Sequence, residues 1–383
     1  MVGIYQLWKG ETNMEKFKKF LARKDIVFTL QRYGIDALGA MAQGLFCTLL
    51  VGTILSTIGT QFNVGFLNQV IVTIKDSTGQ NEISYTIGSL ASAMVGPGMA
   101  VAIGYALHCP PLVLFSLIPV GFASNVMGGS GGPLAVFFIT IAAAEFGKAV
   151  SKETKIDIIV TPVVTILVGI GVAALIAAPI GAAAKAIGQA IMWATELKPF
   201  IMGVLVAVLM GMALTLPISS AAICAGFGLA GLAGGAAVAG CCAQMIGFAV
   251  MSFKENRWGG LVAQGVGTSM LQMPNIVKNP KVWIPPILAS AITGPIATCI
   301  FKLQMNGAPV NSGMGTCGFC GQIGIWTGWV ADVASGAKEA ITSFDWLGLA
   351  LICFVLPAVL SLIFCEILRK IGWIKENDLK LDL

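Results

Sequence analysis

Apolar residues in this chain fall into long runs, near 37–60, 86–107, 158–184, 200–216, 219–252, 283–301 and 346–368, separated by short polar or basic breaks. A hydrocarbon core about 30 Å thick takes roughly 20 residues of helix. Each run is therefore long enough for one passage, and the longest hold two. The pattern predicts an all-α, polytopic membrane protein of about eight to ten transmembrane helices, some broken or re-entrant.

Composition sharpens this reading. Hydrophobic residues make up 56% of the 383 positions and charged residues 11%, where a soluble chain carries about 25% charged residues. The 47 glycines would weaken soluble helices, whereas membrane helices use small residues to approach one another closely. Seven of the ten cysteines, Cys47, Cys224, Cys241, Cys242, Cys299, Cys353 and Cys365, lie inside apolar runs. They read as small packing residues rather than as an extracellular disulfide framework.

The net charge of +5 points to orientation and not to nucleic acid, because the positive residues sit in the N-terminal segment and in the breaks. Breaks carrying Lys148, Lys152 and Lys155, Lys254 and Arg257, Lys278 and Lys281, and Arg369 and Lys370 are expected to face the cytoplasm. Breaks at 75–82 and 185–198 mix signs and are expected outside. Residues 14–32 interleave Lys16, Lys18, Lys19, Arg23, Lys24 and Arg32 with Phe17, Phe20, Leu21 and Ile26. An amphipathic helix on an anionic leaflet and a solvated basic tail both fit that mixture. No secretory signal core follows, so the N-terminus is expected in the cytoplasm.

The chain then divides into a basic segment, 1–32, a membrane domain, 33–370, and a cytoplasmic tail, 371–383. Within the membrane domain 33–147 and 156–253 read as tandem copies, followed by 258–370. Ile35-Asp36 matches Ile156-Asp157, Gly98-Met99-Ala100 matches Gly211-Met212-Ala213, and prolines follow at Pro110-Pro111 and Pro217. Transporters are often built from such repeats.

Polar residues inside membrane runs are costly and mark function; four clusters qualify. The first, SNVMGGSGGP, holds Asn125, Ser130, Gly131 and Gly132, and must break a helix. The freed amides of the helix restarting near Pro133 suit hydroxyls or an anion; a tight turn or close helix crossing is the structural alternative. The second, TLPISSAAI, offers Ser219 and Ser220 as caps, or as hydroxyls bonded back to their own helix. The third, GTSMLQMPNIVK, carries Gln272 and Asn275 in a stretch too polar for a lipid-facing span, which predicts a re-entrant or amphipathic element. Its amides offer donors and acceptors together, as sugar hydroxyls require. The fourth, APVNSGMGTCGFCGQIG, holds Asn311 and Ser312 beside the pair Cys317 and Cys320; with no histidine or second pair nearby, packing is preferred to zinc.

Among ionisable residues, Glu145 and Glu366 lie near breaks and are expected to be solvated, or paired with Lys148 and Arg369, rather than buried. His108, the only histidine, is a candidate ligand-binding group or base. Phosphate-loop and zinc-helix motifs are absent, so no catalytic residue, metal or cofactor is assigned.

The segments GGSGGPLAVFF, LPISSAAI, SMLQMPNIVKNPKVWIPP and GMGTCGFCGQIG together resemble the membrane-embedded IIC components of the bacterial phosphotransferase system. More narrowly, the chain is similar to the stand-alone IIC-like group that includes the perfringolysin regulator-type proteins. The resemblance covers about residues 30–370. It implies a multi-pass protein of the bacterial cell membrane, a homodimer, that binds and translocates a sugar or similar polar solute, with phosphorylation supplied by separate IIA and IIB partners. Two other functions stay open. One is a membrane sensor or regulator that keeps the fold without transport. The other is an ion-coupled transporter of a different small metabolite, disfavoured by the shortage of buried carboxylates.

Overall fold

The computed structural model describes residues 13–75 and 82–381. The start of the basic N-terminal segment and the middle of the break at 75–82 thus lie outside the described residues. Among these the chain is helical apart from one antiparallel hairpin, Val72–Lys75 with Glu82–Tyr85, in which Val72 faces Tyr85.

Among the described residues six helices are long and apolar enough to cross a bilayer, or seven if Ile87–Ala93 and Val95–Ala106, bent by 52°, form one span. One of the six, Pro111–Val150, is folded back on itself. Gly129 adopts a positive φ of 52° there, and a Cβ on Gly147 would lie 2.8 Å from Val113 Cγ1, which puts the two ends of the segment side by side. With its arms counted separately, the bent pair as one, and the shorter apolar helix Pro199–Thr215 included, nine apolar helical arms result. The apolar runs predict about eight to ten transmembrane helices; six, or seven with the bent pair, are long and apolar enough to span on their own among the described residues.

The axis of the bundle is Gly231–Met251, a helix of glycine, alanine and cysteine that is almost wholly buried. Its composition explains its place. A Cβ on Gly240 would sit 1.8 Å from the carbonyl oxygen of Ala207, so Pro199–Thr215 packs backbone to backbone against it, a contact that only glycine allows. Pro280–Ile300 packs on Pro199–Thr215 in the same manner, a Cβ on Gly294 falling 2.1 Å from the Gly203 carbonyl oxygen.

The basic breaks gather at one end of the bundle. Lys24 pairs with Glu153, Lys148 Nζ donates to the Asp25 carbonyl oxygen at 2.9 Å, Arg369 pairs with Glu255 and Lys254 with Glu366, each at 2.6 Å, and Lys281 lies over Trp373. The strand hairpin and the Lys338–Asp345 pair occupy the opposite end. Exposed tryptophans mark both ends, Trp258 and Trp373 at the basic one, Trp193 and Trp346 at the other, as interfacial side chains do.

Three local expectations change. The helix Asp157–Thr195 runs straight through Lys185, whose side chain faces outward, so the break begins only at Glu196. Glu366 pairs with Lys254, since Glu255 takes Arg369 instead. Glu145 does pair with Lys148, at 2.9 Å, but both are buried instead of reaching water.

Four segments enter the bundle and turn back inside it. From the basic end come 111–150 and 253–278; from the opposite end come 199–230 and 303–334. The direction of 199–230 follows from its neighbours: Gly211 lies against Gly240 and Thr215 bonds Gln244, so Pro199–Thr215 runs parallel to the axial helix and residues 216–230 carry the chain back to Gly231. The last segment starts where Met305 pairs with Gly231 and reaches its deepest point where Gly315 meets Cys241.

Candidate functional site

Each of the four turning points coincides with one of the polar clusters. In 111–150, the glycines at 128–132 end one helix and start the next, whose first turn holds Pro133. In 199–230, Pro217 denies the helix its next backbone donor, and Ser219 caps the following helix by accepting from the Ala222 amide at 3.2 Å. In 253–278, Thr268 is extended and accepts from the Met270 amide at 3.1 Å. In 303–334, Gly315 at φ 53° turns the chain ahead of the helix beginning at Cys320.

The tips bond to one another. The Ser219 amide donates to the Ser130 carbonyl oxygen at 2.9 Å. Ser220 Oγ donates to the Gly313 carbonyl oxygen at 2.7 Å, which settles its hydroxyl on a neighbouring segment rather than on its own helix. Ser312 Oγ donates to the Leu229 carbonyl oxygen at 2.6 Å, and Thr215 Oγ1 meets Ser269 Oγ at 2.8 Å. Three helices, starting at Gly132, Ser220 and Cys320, direct their N-termini toward this meeting point. The positive ends of such helices attract oxygen acceptors, although several of their first amides, those of Gly132, Ala222 and Gly321 among them, are already bonded within the protein.

The tips border a partly open cavity of about 50 Å³, lined by Pro133, Ser219, Ser220, Thr268 and Met314 among apolar side chains such as Leu214 and Ile218, and walled by Leu45 and Leu49 of Gln31–Gln61. A water needs roughly 10–15 Å³ by this measure, and small-molecule pockets run about 300–1,000 Å³. The cavity has room for a few waters, so a larger solute needs the tips to part.

Behind the cavity wall lies a residue that no motif singled out. Gln244, in the axial helix, is fully buried. Its Oε1 accepts from Trp283 Nε1 at 2.9 Å and from Thr215 Oγ1 at 3.2 Å. Indole is only a donor, which fixes the carboxamide with its oxygen toward Trp283. Gln244 Nε2 is thereby left buried without a hydrogen-bond partner among the described residues. The sequence signal was a lone amide in the run GCCAQMIG.

The structure divides the expected site residues. Ser130, Gly131, Gly132, Ser219, Ser220 and Ser312 meet at the tips. Asn125 is half-buried just beneath the first tip, where a Cβ on Gly132 would lie 2.5 Å from its Oδ1. Asn311 packs against Gly324 in the fourth segment. Gln272 and Asn275 lie lower, toward the basic end: Gln272 Nε2 donates to Gln264 Oε1 at 2.8 Å and to the Leu379 carbonyl oxygen at 3.0 Å. Asn275 Nδ2 donates to Gln272 Oε1 and to the Lys380 carbonyl oxygen, both at 2.8 Å. His108 is exposed at the basic end, with Nδ1 3.2 Å from Asp25 Oδ2. Cys317 and Cys320 are buried in the fourth tip, Cys320 Sγ lying 3.3 Å from Thr57 Oγ1.

The family model described as phosphotransferase system, EIIC, matches residues 35–381. No curated protein and no solved structure matches the chain.

Proposed function

Because the chain belongs to the EIIC family of the phosphotransferase system, a match that spans residues 35–381, we propose that it is the membrane permease component for a sugar or similar polyhydroxylated solute, bound where the four tips meet. One observation carries this reading: four separate segments meet at one cavity, to which two of them bring the hydroxyls of Ser219, Ser220 and Thr268 and three of them a helix N-terminus. Hydroxyls of a sugar are acceptors for amides and donors to carbonyls, and they need no counter-charge. Gln244 Nε2 supplies a further donor, held in place by Trp283 and Thr215.

In this reading the segments that turn back are re-entrant hairpins, tolerated at membrane depth because protein and cavity satisfy their backbone. The basic end faces the cytoplasm, the N-terminus lies on that side, and separate IIA and IIB proteins bring the phosphoryl group there. The test is binding by purified protein over a panel of hexoses, hexitols and disaccharides. Saturable binding that Ser220→Ala weakens supports the site; absence of binding across the panel removes the reading.

A second reading, a membrane sensor akin to the perfringolysin regulator-type group, draws on the narrowness of the cavity, about 50 Å³. Solute uptake by proteoliposomes carrying this chain with IIA and IIB proteins excludes a pure sensor.

A further inference from the structure

The C-terminal segment does not hang free from the basic end. Ile374 and Leu379 are buried in the core, and the main chain around them is held by a row of side-chain amides. Asn256 grips it twice, donating from Nδ2 to the Leu379 carbonyl oxygen at 2.7 Å and accepting from the Leu381 amide at 2.8 Å. Gln272 and Asn275 add their bonds to Leu379 and Lys380. Asn279 Nδ2 donates to Asp378 Oδ2 at 2.8 Å and to the Trp373 carbonyl oxygen at 2.9 Å.

Two features make this more than an anchored terminus. Gln264, Gln272 and Asn275 form a continuous chain of amide hydrogen bonds that lies between the third tip and the tail. Beside it, a cavity of about 280 Å³ opens at the basic end, lined by Asp36, Tyr105, Asn275, Lys278, Lys380 and Leu381. The tail therefore forms one wall of a space that Asn275 also lines. A peptide carbonyl and a sugar hydroxyl oxygen accept from an amide N–H in the same way.

We propose that residues 374–381 are an internal strap that competes with solute: their carbonyls occupy the Gln272 and Asn275 donors, and the strap must release for solute to pass the basic end. This rests on the permease reading for the identity of the competitor. The strap itself rests on the contacts above.

Two variants test it. Asn256→Ala removes two of the strap's bonds without touching a tip, and a chain ending at Trp373 lacks the strap. Hydrogen exchange of the 374–381 amides should quicken at least tenfold in Asn256→Ala, and calorimetric affinity for whichever panel sugar binds the full chain should rise threefold or more in both variants. Unchanged exchange, or faster exchange with equal or weaker affinity, overturns the competition. Should no sugar bind any of the three chains, the permease reading fails separately. Access is then read by a water-soluble maleimide on Asn275→Cys, expected to react at least tenfold faster in the chain ending at Trp373. Equal labelling overturns the strap.

Discussion

The backbone amide of Ser219 donates to the carbonyl oxygen of Ser130 at 2.9 Å, tying the tip of a segment that enters from one end of the bundle to the tip of one that enters from the other. Neither group has a partner within its own helix, because Pro217 and the glycines at 128–132 interrupt both. The bond is a consequence of broken helices meeting, and it places the Ser219 and Ser220 hydroxyls at the cavity wall.

Removing a hydroxyl at this junction should cost stability as well as binding. Ser220→Ala leaves the Gly313 carbonyl oxygen buried and unpaired, at a cost of about 1–3 kcal/mol. The expected result is a lower thermal midpoint in detergent together with weaker solute binding. A midpoint equal to that of the native chain contradicts the assigned bond.

Gln244 allows binding and stability to be separated. Trp283→Phe removes the indole donor that fixes the carboxamide, so the amide is free to flip and Nε2 loses its direction. Affinity should fall tenfold or more, while stability changes by about 1 kcal/mol, the worth of an ordinary hydrogen bond. Unchanged affinity in a folded Trp283→Phe protein removes Gln244 from the site.

At the basic end, Lys148 is buried with Glu145 at 2.9 Å and donates to the carbonyl oxygens of Asp25 and Leu107 at 2.9 and 3.1 Å. Lys148→Met strands a buried carboxylate and should destabilise by roughly 3–5 kcal/mol. Adding Glu145→Gln should recover much of that loss. Chemical-denaturation midpoints of the single and double variants check the pair.

Acid acts on the same corner through Asp25. Arg32 donates to its two oxygens at 2.9 and 2.5 Å, and that hydrogen bonding, the largest cause, holds the Asp25 carboxyl below its ordinary value. A carboxyl whose value is lowered by folding contributes stability that is complete above the unfolded value, about 3.9, and is lost as pH falls through the folded one. Asp25→Asn should therefore lower stability near neutrality by about 1 kcal/mol or less, since the group is half exposed, and should flatten the dependence on pH below 4. An identical acid profile in the variant contradicts this.

Much of the architecture was legible in the chain. The apolar runs announced the helical arms, and the positions of Lys148, Lys254, Lys281 and Arg369 announced their common end. The four polar clusters each proved to be a turning point, because glycine and proline break helices wherever they concentrate. Partners were not legible. Gln272 and Asn275 carry the residue types of a sugar site, yet their donors face Leu379 and Lys380, more than a hundred positions away in sequence. Gln244 was not legible either, because a single amide in an apolar helix carries no spacing, and only the donor-only Trp283 gives it direction. His108 stood out by its rarity, but rarity says nothing of depth, and it lies at the surface beside Asp25.

Solute binding where the four tips meet underlies the expectations for Ser220 and Trp283. A structure determined with a bound sugar tests it most directly. Density is expected to contact Ser219, Ser220 and Thr268, with the tips moved apart and Gln244 Nε2 within hydrogen-bond distance of a hydroxyl. Density confined to the basic-end cavity beside Asp36 and Lys278, with the tips still closed, would contradict it.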